Sequence, residues 1–501
     1  MSERKQIENV SSPLPTQGGD GGGSLKEKTA KGLFWGMLNN GTMQVLNLIF
    51  GIFLLRLLTP EDYGIVGVLA IFTAIAGDLQ SAGFTQALIN IPKPTARDYN
   101  SVFWFNVLMS VGMYTILFFC APLIAWYFHQ PVLVDVSRFV FLAFLISSLG
   151  IAHNAYLTKN LMVKEQAIAA IIALLISGTC SVIMAFQGMA YWAIAWQQVI
   201  YISVLNVVRL YYSRWRPTWK IDFGPVRGMF RFAVNLLFTK IITSLSNNIL
   251  TFIFGRMFPM QAVGFYTQAN KWSMMAHSFV TSSVHQVAQP VMIEAISDDE
   301  RECRIFRKMM RFTAFLSFPA MFGLALVANE FILLTIGPKW TGSVILLQML
   351  CVSGAFVPFY TLYQNLAISR GRSDIYMWCN VGQIALQILI IVVLHSFGIN
   401  VMVAAYSLFL VLWLAVWQYI AYRMVGVTVL ETLKDLGPFC LAAFMTMAVT
   451  YVLTSFLHGN ALLFLSRVVI ASVVYFIVMK LSHAVILEEC LAFAKAKLKR
   501  K

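Results

Sequence analysis

The chain has 501 residues, 59% of them hydrophobic and only 12% charged, with a mean hydropathy of +0.73. That balance excludes a string of water-soluble domains and points to an all-α integral membrane protein whose spans each need about 20 apolar residues. The net charge of +15 does not call for nucleic acid, because basic residues flanking membrane spans follow the positive-inside bias. Cys120, Cys180, Cys303, Cys351, Cys379, Cys440 and Cys490 form no close pair of the kind that holds zinc or cycles as a dithiol. They read as small apolar packing residues, and neither a metal nor a cofactor is expected.

Residues 1–27 contain the polar, glycine-rich run GGDGGGS and no apolar stretch, so a flexible cytoplasmic tail is expected there rather than a cleavable signal. Apolar runs then predict about fourteen helices. Six of them, at 30–57, 63–90, 99–128, 131–158, 165–187 and 190–211, make a first lobe over 28–211. The charged, aromatic stretch 212–227 reads as a cytoplasmic interfacial linker. A second lobe over 228–424 takes helices at 228–256, 261–288, 304–328, 341–368, 373–397 and 399–422. Two further helices, at 432–456 and 461–484, occupy 425–484, and 485–501 reads as a basic amphipathic tail on the inner leaflet. Placing alternate loops on opposite sides puts about 30 basic residues with both termini and leaves Arg56, Arg256 and Lys339 on the other side. Both termini are therefore expected in the cytoplasm.

Six spans per lobe bring the second lobe back to the same side, so an internal repeat has to be parallel. At a shift of 200 residues Asn47 meets Asn247, Arg56 meets Arg256, Gly64 meets Gly264 and Gln86 meets Gln286. Polar stripes coincide at the same shift. The first span carries Asn40, Gln44 and Asn47 along one face, and the seventh carries Lys240, Ser244 and Asn247. The second carries Asp78 and Gln86; the eighth carries Lys271, His277, His285 and Gln286. The third, fifth, sixth, eleventh and twelfth spans read as apolar nearly all round. Polar faces at bilayer depth are costly unless they meet a partner or water. A wet central cavity between two parallel six-helix lobes, lined by the first, second, seventh and eighth spans, is therefore expected.

An ionised Lys240 near mid-bilayer needs either a buried partner, for which Asp78 is available, or an anionic ligand. Lys271 either snorkels or lines the cavity. Arg56 and Arg256, at the outer span ends, suit interfacial anchoring or capture of an anionic head group. Asp78 reads as the one carboxylate near the middle of a span, so it is also a candidate proton or sodium site. Pro122, Pro319, Pro358 and Pro438 are candidate kinks. The chain has no Walker motif, HExxH or GxSxG, and no enzyme activity is expected.

The runs RLLTPEDYG at Arg56–Gly64, GFTQALI at Gly83–Ile89 and IGPKWTGSVILLQML at Ile336–Leu350 resemble the polysaccharide-exporter family of the multidrug/oligosaccharidyl-lipid/polysaccharide superfamily, in particular its Wzx-like, colanic-acid-type flippases. The resemblance implies two lobes around a central cavity and a substrate of undecaprenyl-diphosphate-linked oligosaccharide, moved across the bacterial inner membrane for exopolysaccharide, capsule or O-antigen assembly. It also implies membrane lipids, a polysaccharide polymerase and assembly machinery as partners. On that view Lys240 and Lys271 would neutralise the pyrophosphate, while Asn40, Gln44, Asn47, Ser244, Asn247, Gln86 and Gln286 would bond sugar hydroxyls. The alternatives are a cation-coupled multidrug exporter of the same superfamily, with Asp78 as its ion site, and a non-transporting scaffold or scramblase.

Overall fold

The computed structural model describes residues 25–81, 88, 91–92, 94–219, 221–295, 299–482, 484 and 486–489. Among these the chain is helical with no strand. The first lobe contains α1 (Leu25–Leu57), α2 (Pro60–Gly67), α3 (Ala70–Ser81), α4 (Ala96–Phe128), α5 (Leu133–Lys159), α6 (Val163–Phe186) and α7 (Tyr191–Tyr212). The second contains α8 (Gly224–Met257), α9 (Met260–Ala295), α10 (Asp299–Thr335), α11 (Gly342–Gly354), α12 (Val357–Ser369), α13 (Ser373–Val393) and α14 (Ile399–Val425). The helices α15 (Val429–Thr454) and α16 (Asn460–Leu481) follow.

Local chemistry sets the breaks. At the start of α2 the Thr59 and Asp62 side chains each bond the other residue's backbone N–H, and Pro60 sits where no N–H is needed. The same box, Thr95 with Asp98 and Thr428 with Glu431, starts α4 and α15. The tenth span is split into α11 and α12 because Pro358 lacks an N–H for Gly354 and crowds its carbonyl. Pro122, Pro319 and Pro438 stay inside helices.

Twelve spans among the described residues are long and apolar enough to cross a bilayer. Bulky apolar side chains of α15 and α16, such as Leu441, Phe444, Val452 and Leu465, point away from the protein, as a lipid-facing surface requires. The protein is a multi-pass membrane protein.

In the first lobe α1 packs on α6, α6 on α7, and α5 on α4 and α7. In the second, α9 packs on α10, α11 and α12, and α11 packs on α14. The two lobes meet where α9 crosses α2 and where α8 lies against α3 and α4. The α2–α9 crossing is reciprocal: a Cβ at Gly64 would fall on the Met260 carbonyl, and one at Gly264 on the Pro60 carbonyl. Both pairs differ by 200 residues, so the lobes are related by the shift the polar stripes share.

The same end is closed by an exchange of helix caps. Arg56 donates through Nε to the Thr335 carbonyl at 2.7 Å, while Lys339 and Trp340 donate to the Arg56 and Leu55 carbonyls at 2.5 and 2.7 Å. Each helix C-terminus thus receives a cation from the other lobe, which offsets its dipole and fills its orphan carbonyls. Trp340 is fully buried and meets the Tyr63 ring edge-on at 5.4 Å. We call this the sealed end, and the opposite one the basic end.

At the basic end the linker docks on α4. Trp104 Nε1 donates to the Thr218 carbonyl at 2.7 Å, and the Thr218 N–H donates to Asn100 Oδ1 at 2.8 Å. The Gly224 N–H and then the Arg97 guanidinium hold Asp222 below the usual carboxylate range.

Two readings of the sequence need correction. The helix α10 runs to Thr335, which brings Glu330 inside a span, so Asp78 is not the one intramembrane carboxylate. Glu330 accepts an ion pair from Arg467 at 2.8 Å, with both side chains nearly fully buried. This pair, with Tyr475 donating to the Phe315 carbonyl at 3.0 Å, ties α16 to α10. The second correction concerns α13, the eleventh span, which is not apolar all round: Ser373, Tyr376, Asn380, Gln383 and Gln387 recur along one side of it. Of the expected tails 1–27 and 485–501, residues 1–24, 485 and 490–501 lie outside the described residues, while 25–27 belong to α1 and 486–489 are helical.

Candidate functional site

A chamber of about 1020 Å³ lies within the second lobe. The helix α8 contributes Thr243, Ser246, Asn247 and Leu250; α9 contributes Tyr266, Asn270, Ser273 and His277. Tyr360, Thr361 and Gln364 come from α12, Tyr376, Asn380 and Gln383 from α13, and Tyr406 with Leu410 from α14. On each helix these positions recur every three or four residues, so a single face of each turns inward. The lining starts at Leu250 and Tyr266, about two turns below the sealed end, and reaches Ile368 and Ser373 on either side of the turn at the basic end.

The chamber exists because the two lobes pack their first helices differently. In the first lobe the Phe50 ring of α1 rests on Gly178 of α6, where a Cβ would overlap it. In the second lobe, Leu250 stands at the equivalent place on α8, and it lines the chamber instead. The helix α8 leans on α3 and α4 of the other lobe and only grazes α13. Space that Phe50 fills in one lobe is therefore open in the other.

Several lining groups are fixed by the wall. Tyr360 donates to the Leu410 carbonyl at 2.5 Å, Ser273 to the Leu350 carbonyl at 3.1 Å, and Asn380 to the Tyr376 carbonyl at 2.9 Å. His277 Nδ1 is buried with no hydrogen-bond partner among the described residues.

The residues singled out from sequence are distributed as follows. Asn247 lines the chamber. Ser244, one turn away, donates across the lobe interface to Asp78 Oδ2. Lys240 is exposed on the same side of α8 and has no ion pair among the described residues, and Lys271 is exposed beside Asn270. Asn40, Gln44 and Asn47 are exposed on α1 and are not part of the chamber wall. Arg56 caps α10, and Arg256 lies against the His129 imidazole with its guanidinium 5.5 Å from the centre of the Tyr127 ring. Gln86 and the Gln286 side chain lie outside the described residues. The contributions of α12, α13 and α14 were missed. Their signal was present as the three-to-four-residue spacing of Tyr360, Gln364, Tyr376, Asn380 and Gln383, diluted by the aliphatic residues between them.

This fold is shared with known transporters. The structure superposes on that of the lipid II flippase MurJ in an inward closed conformation with a TM-score of 0.76, at 12% identity, covering 91% of this chain and 100% of that one. An inward-facing multidrug-resistance MATE transporter of the MOP superfamily gives a TM-score of 0.57 at 13% identity, covering 81% and 95%. By sequence, the chain is 26% identical to the lipopolysaccharide biosynthesis protein WzxC of Escherichia coli (strain K12), over 72% of this chain and 73% of that one. It is 23% identical to the teichuronic acid biosynthesis protein TuaB of Bacillus subtilis (strain 168), over 72% and 76%. It is also 23% identical to the succinoglycan biosynthesis transport protein ExoT of Rhizobium meliloti (strain 1021), over 69% and 70%. The family model described as polysaccharide biosynthesis protein matches residues 53–345, the stretch from the end of α1 through the sealed end and both polar helices of the second lobe, and this chain belongs to that family.

Proposed function

We propose that the protein is a flippase that carries undecaprenyl-diphosphate-linked oligosaccharide repeat units from the cytoplasmic to the outer leaflet of the bacterial inner membrane, supplying exopolysaccharide, capsule or O-antigen assembly. The observation that carries this reading is the chamber, which is large, walled with amides, hydroxyls and tyrosines, and set between helices at membrane depth. A sugar head group linked through pyrophosphate cannot cross about 30 Å of hydrocarbon unaided, whereas its polyprenyl tail never has to leave it. A polar chamber beside lipid provides for both. The biosynthetic relatives and the flippase fold support the same reading.

In this proposal both termini and the basic end face the cytoplasm, so the chamber is entered from the side where the lipid-linked unit is made. Lys240 and Lys271 neutralise the pyrophosphate. Ser244, Asn247 and the exposed amides Asn40, Gln44 and Asn47 bond sugar hydroxyls as the lobes rock. Parting of the α2–α9 crossing, with release of the Arg56 and Lys339 caps, opens the sealed end. Asp78, bonded to Ser244 at the lobe interface, is the candidate group for proton or sodium coupling. A polysaccharide polymerase would take up the product. A multidrug exporter for organic cations is disfavoured, since no carboxylate lines the chamber among the described residues.

Reconstitution in vesicles tests the proposal. A fluorescent undecaprenyl-diphosphate-linked tetrasaccharide is expected to become accessible to a lectin on the far side only when the protein is present. Equal rates in protein-free vesicles would overturn the proposal.

A further inference from the structure

Among the described residues no Lys, Arg, Asp or Glu lines the chamber. Tyr376 of α13 and Tyr406 of α14 stand half-buried in it, backed by the buried rings of Tyr266 and Tyr360. Between them stand the neutral amides Asn247, Asn270, Gln364, Asn380 and Gln383. The two lysines that could meet an anion stand outside. Lys240 lies seven residues before Asn247, about 10 Å along α8 toward the basic end and on nearly the same face.

This arrangement matches the chemistry of an uncharged pyranose ring. Such a ring has flat C–H faces, which suit the electron-rich face of a tyrosine, and a rim of hydroxyls that amides can both donate to and accept from. A hexuronate in the same place would bring a carboxylate out of water to a wall that offers no cation among the described residues. In the first lobe the Phe50 ring, resting on Gly178, fills the equivalent position.

Resting on the flippase reading above, we infer that the chamber is the subsite for the neutral sugar rings of the head group, with the anionic linkage held outside it at Lys240. The protein therefore selects repeat units whose distal rings carry no carboxylate. Gln383 on α13 and Gln364 on α12 are the specificity-determining residues, since a charge at either would face the bound rings.

Two substrates in reconstituted vesicles decide this. One is an undecaprenyl-diphosphate-linked tetrasaccharide of neutral hexoses; the other has every hexose but the lipid-proximal one oxidised to a hexuronate. The wild-type protein is expected to move the neutral substrate about tenfold faster or more, as sites built around neutral hydrogen bonds discriminate. Gln383→Lys is expected to narrow or invert that ratio, and Gln383→Glu to widen it. Lys240→Ala is expected to slow both substrates by a similar factor and leave the ratio alone. Because each ratio is measured within one preparation, loss of folded protein cancels, and Gln364→Lys repeats the test if Gln383→Lys does not fold. A wild-type ratio near one, or ratios unmoved by the Gln383 variants, overturns the neutral-sugar subsite while leaving flipping intact. A wild-type protein that moves neither substrate overturns the flippase reading itself.

Discussion

Lys240 and Asp78 come from helices that face each other across the lobe interface, yet it is Ser244, one turn from Lys240, that bonds the carboxylate. The lysine is left exposed with no ion pair among the described residues, as a site for a passing anion would require. If it holds the pyrophosphate, Lys240→Ala removes a charge-assisted contact worth about 1.5–3 kcal/mol, which lowers transport by about ten- to a hundredfold. Thermal stability should not fall. Rate and melting temperature measured on the same preparation check both statements; unaltered transport would remove Lys240 from the site. Asp78→Asn keeps an oxygen for the Ser244 hydroxyl but loses the charge. If Asp78 couples transport to an ion, this variant abolishes any dependence on a proton or sodium gradient without unfolding the protein, as flux measured with and without the gradient would reveal.

Among elements, the attachment of α16 is the least legible in the sequence. Arg467 and Glu330 are 137 positions apart, and nothing local to either announces the other. Arg467→Met leaves Glu330 buried without its partner, at a cost of about 3–5 kcal/mol. Combining it with Glu330→Gln should recover much of the loss, because the uncompensated charge is then gone; thermal unfolding of the two variants in detergent checks this. The helix α13 failed to stand out for a different reason. Its polar residues keep a helical spacing, but bulky aliphatic residues separate them, and average hydropathy hides the stripe. By contrast, the stripes of α1 and α8 were legible because amides and a lysine at bilayer depth are costly without a purpose. The linker adds a pH-dependent element. Since its surroundings hold Asp222 below the ordinary carboxylate range, the Arg97–Asp222 clasp is in place above the carboxylate's unfolded value and is lost as pH falls through the lowered folded value. Hydrogen exchange in 213–223 should therefore rise only under acid conditions, and Asp222→Asn should raise it at neutral pH.

At the scale of the whole molecule, the parallel repeat was visible in the shift of 200 residues, and the reciprocal approach of Gly64 to Met260 and of Gly264 to Pro60 gives that shift a physical cause. Only residues without a Cβ allow two backbones so close, so both lobes need glycine at the same place. Gly264→Leu should prevent this crossing from closing, costing about 1–3 kcal/mol by overpacking and moving the population toward a state open at the sealed end. Distances between spin labels on the two lobes report that population. What the repeat could not show is the asymmetry that makes the chamber. Phe50 and Leu250 occupy equivalent positions, and which of them seats against its own lobe depends on Gly178 and on the lean of α8, neither of which a pairwise comparison contains.

Alternation of the sealed end is the claim on which transport depends. A Cβ at Gly67 would lie 3.7 Å from that of Thr267, within the range a disulfide spans. With the native cysteines replaced, the Gly67→Cys/Thr267→Cys protein should carry the lipid-linked tetrasaccharide when reduced, stop when oxidised, and resume on reduction. Undiminished transport by the fully oxidised protein would contradict it.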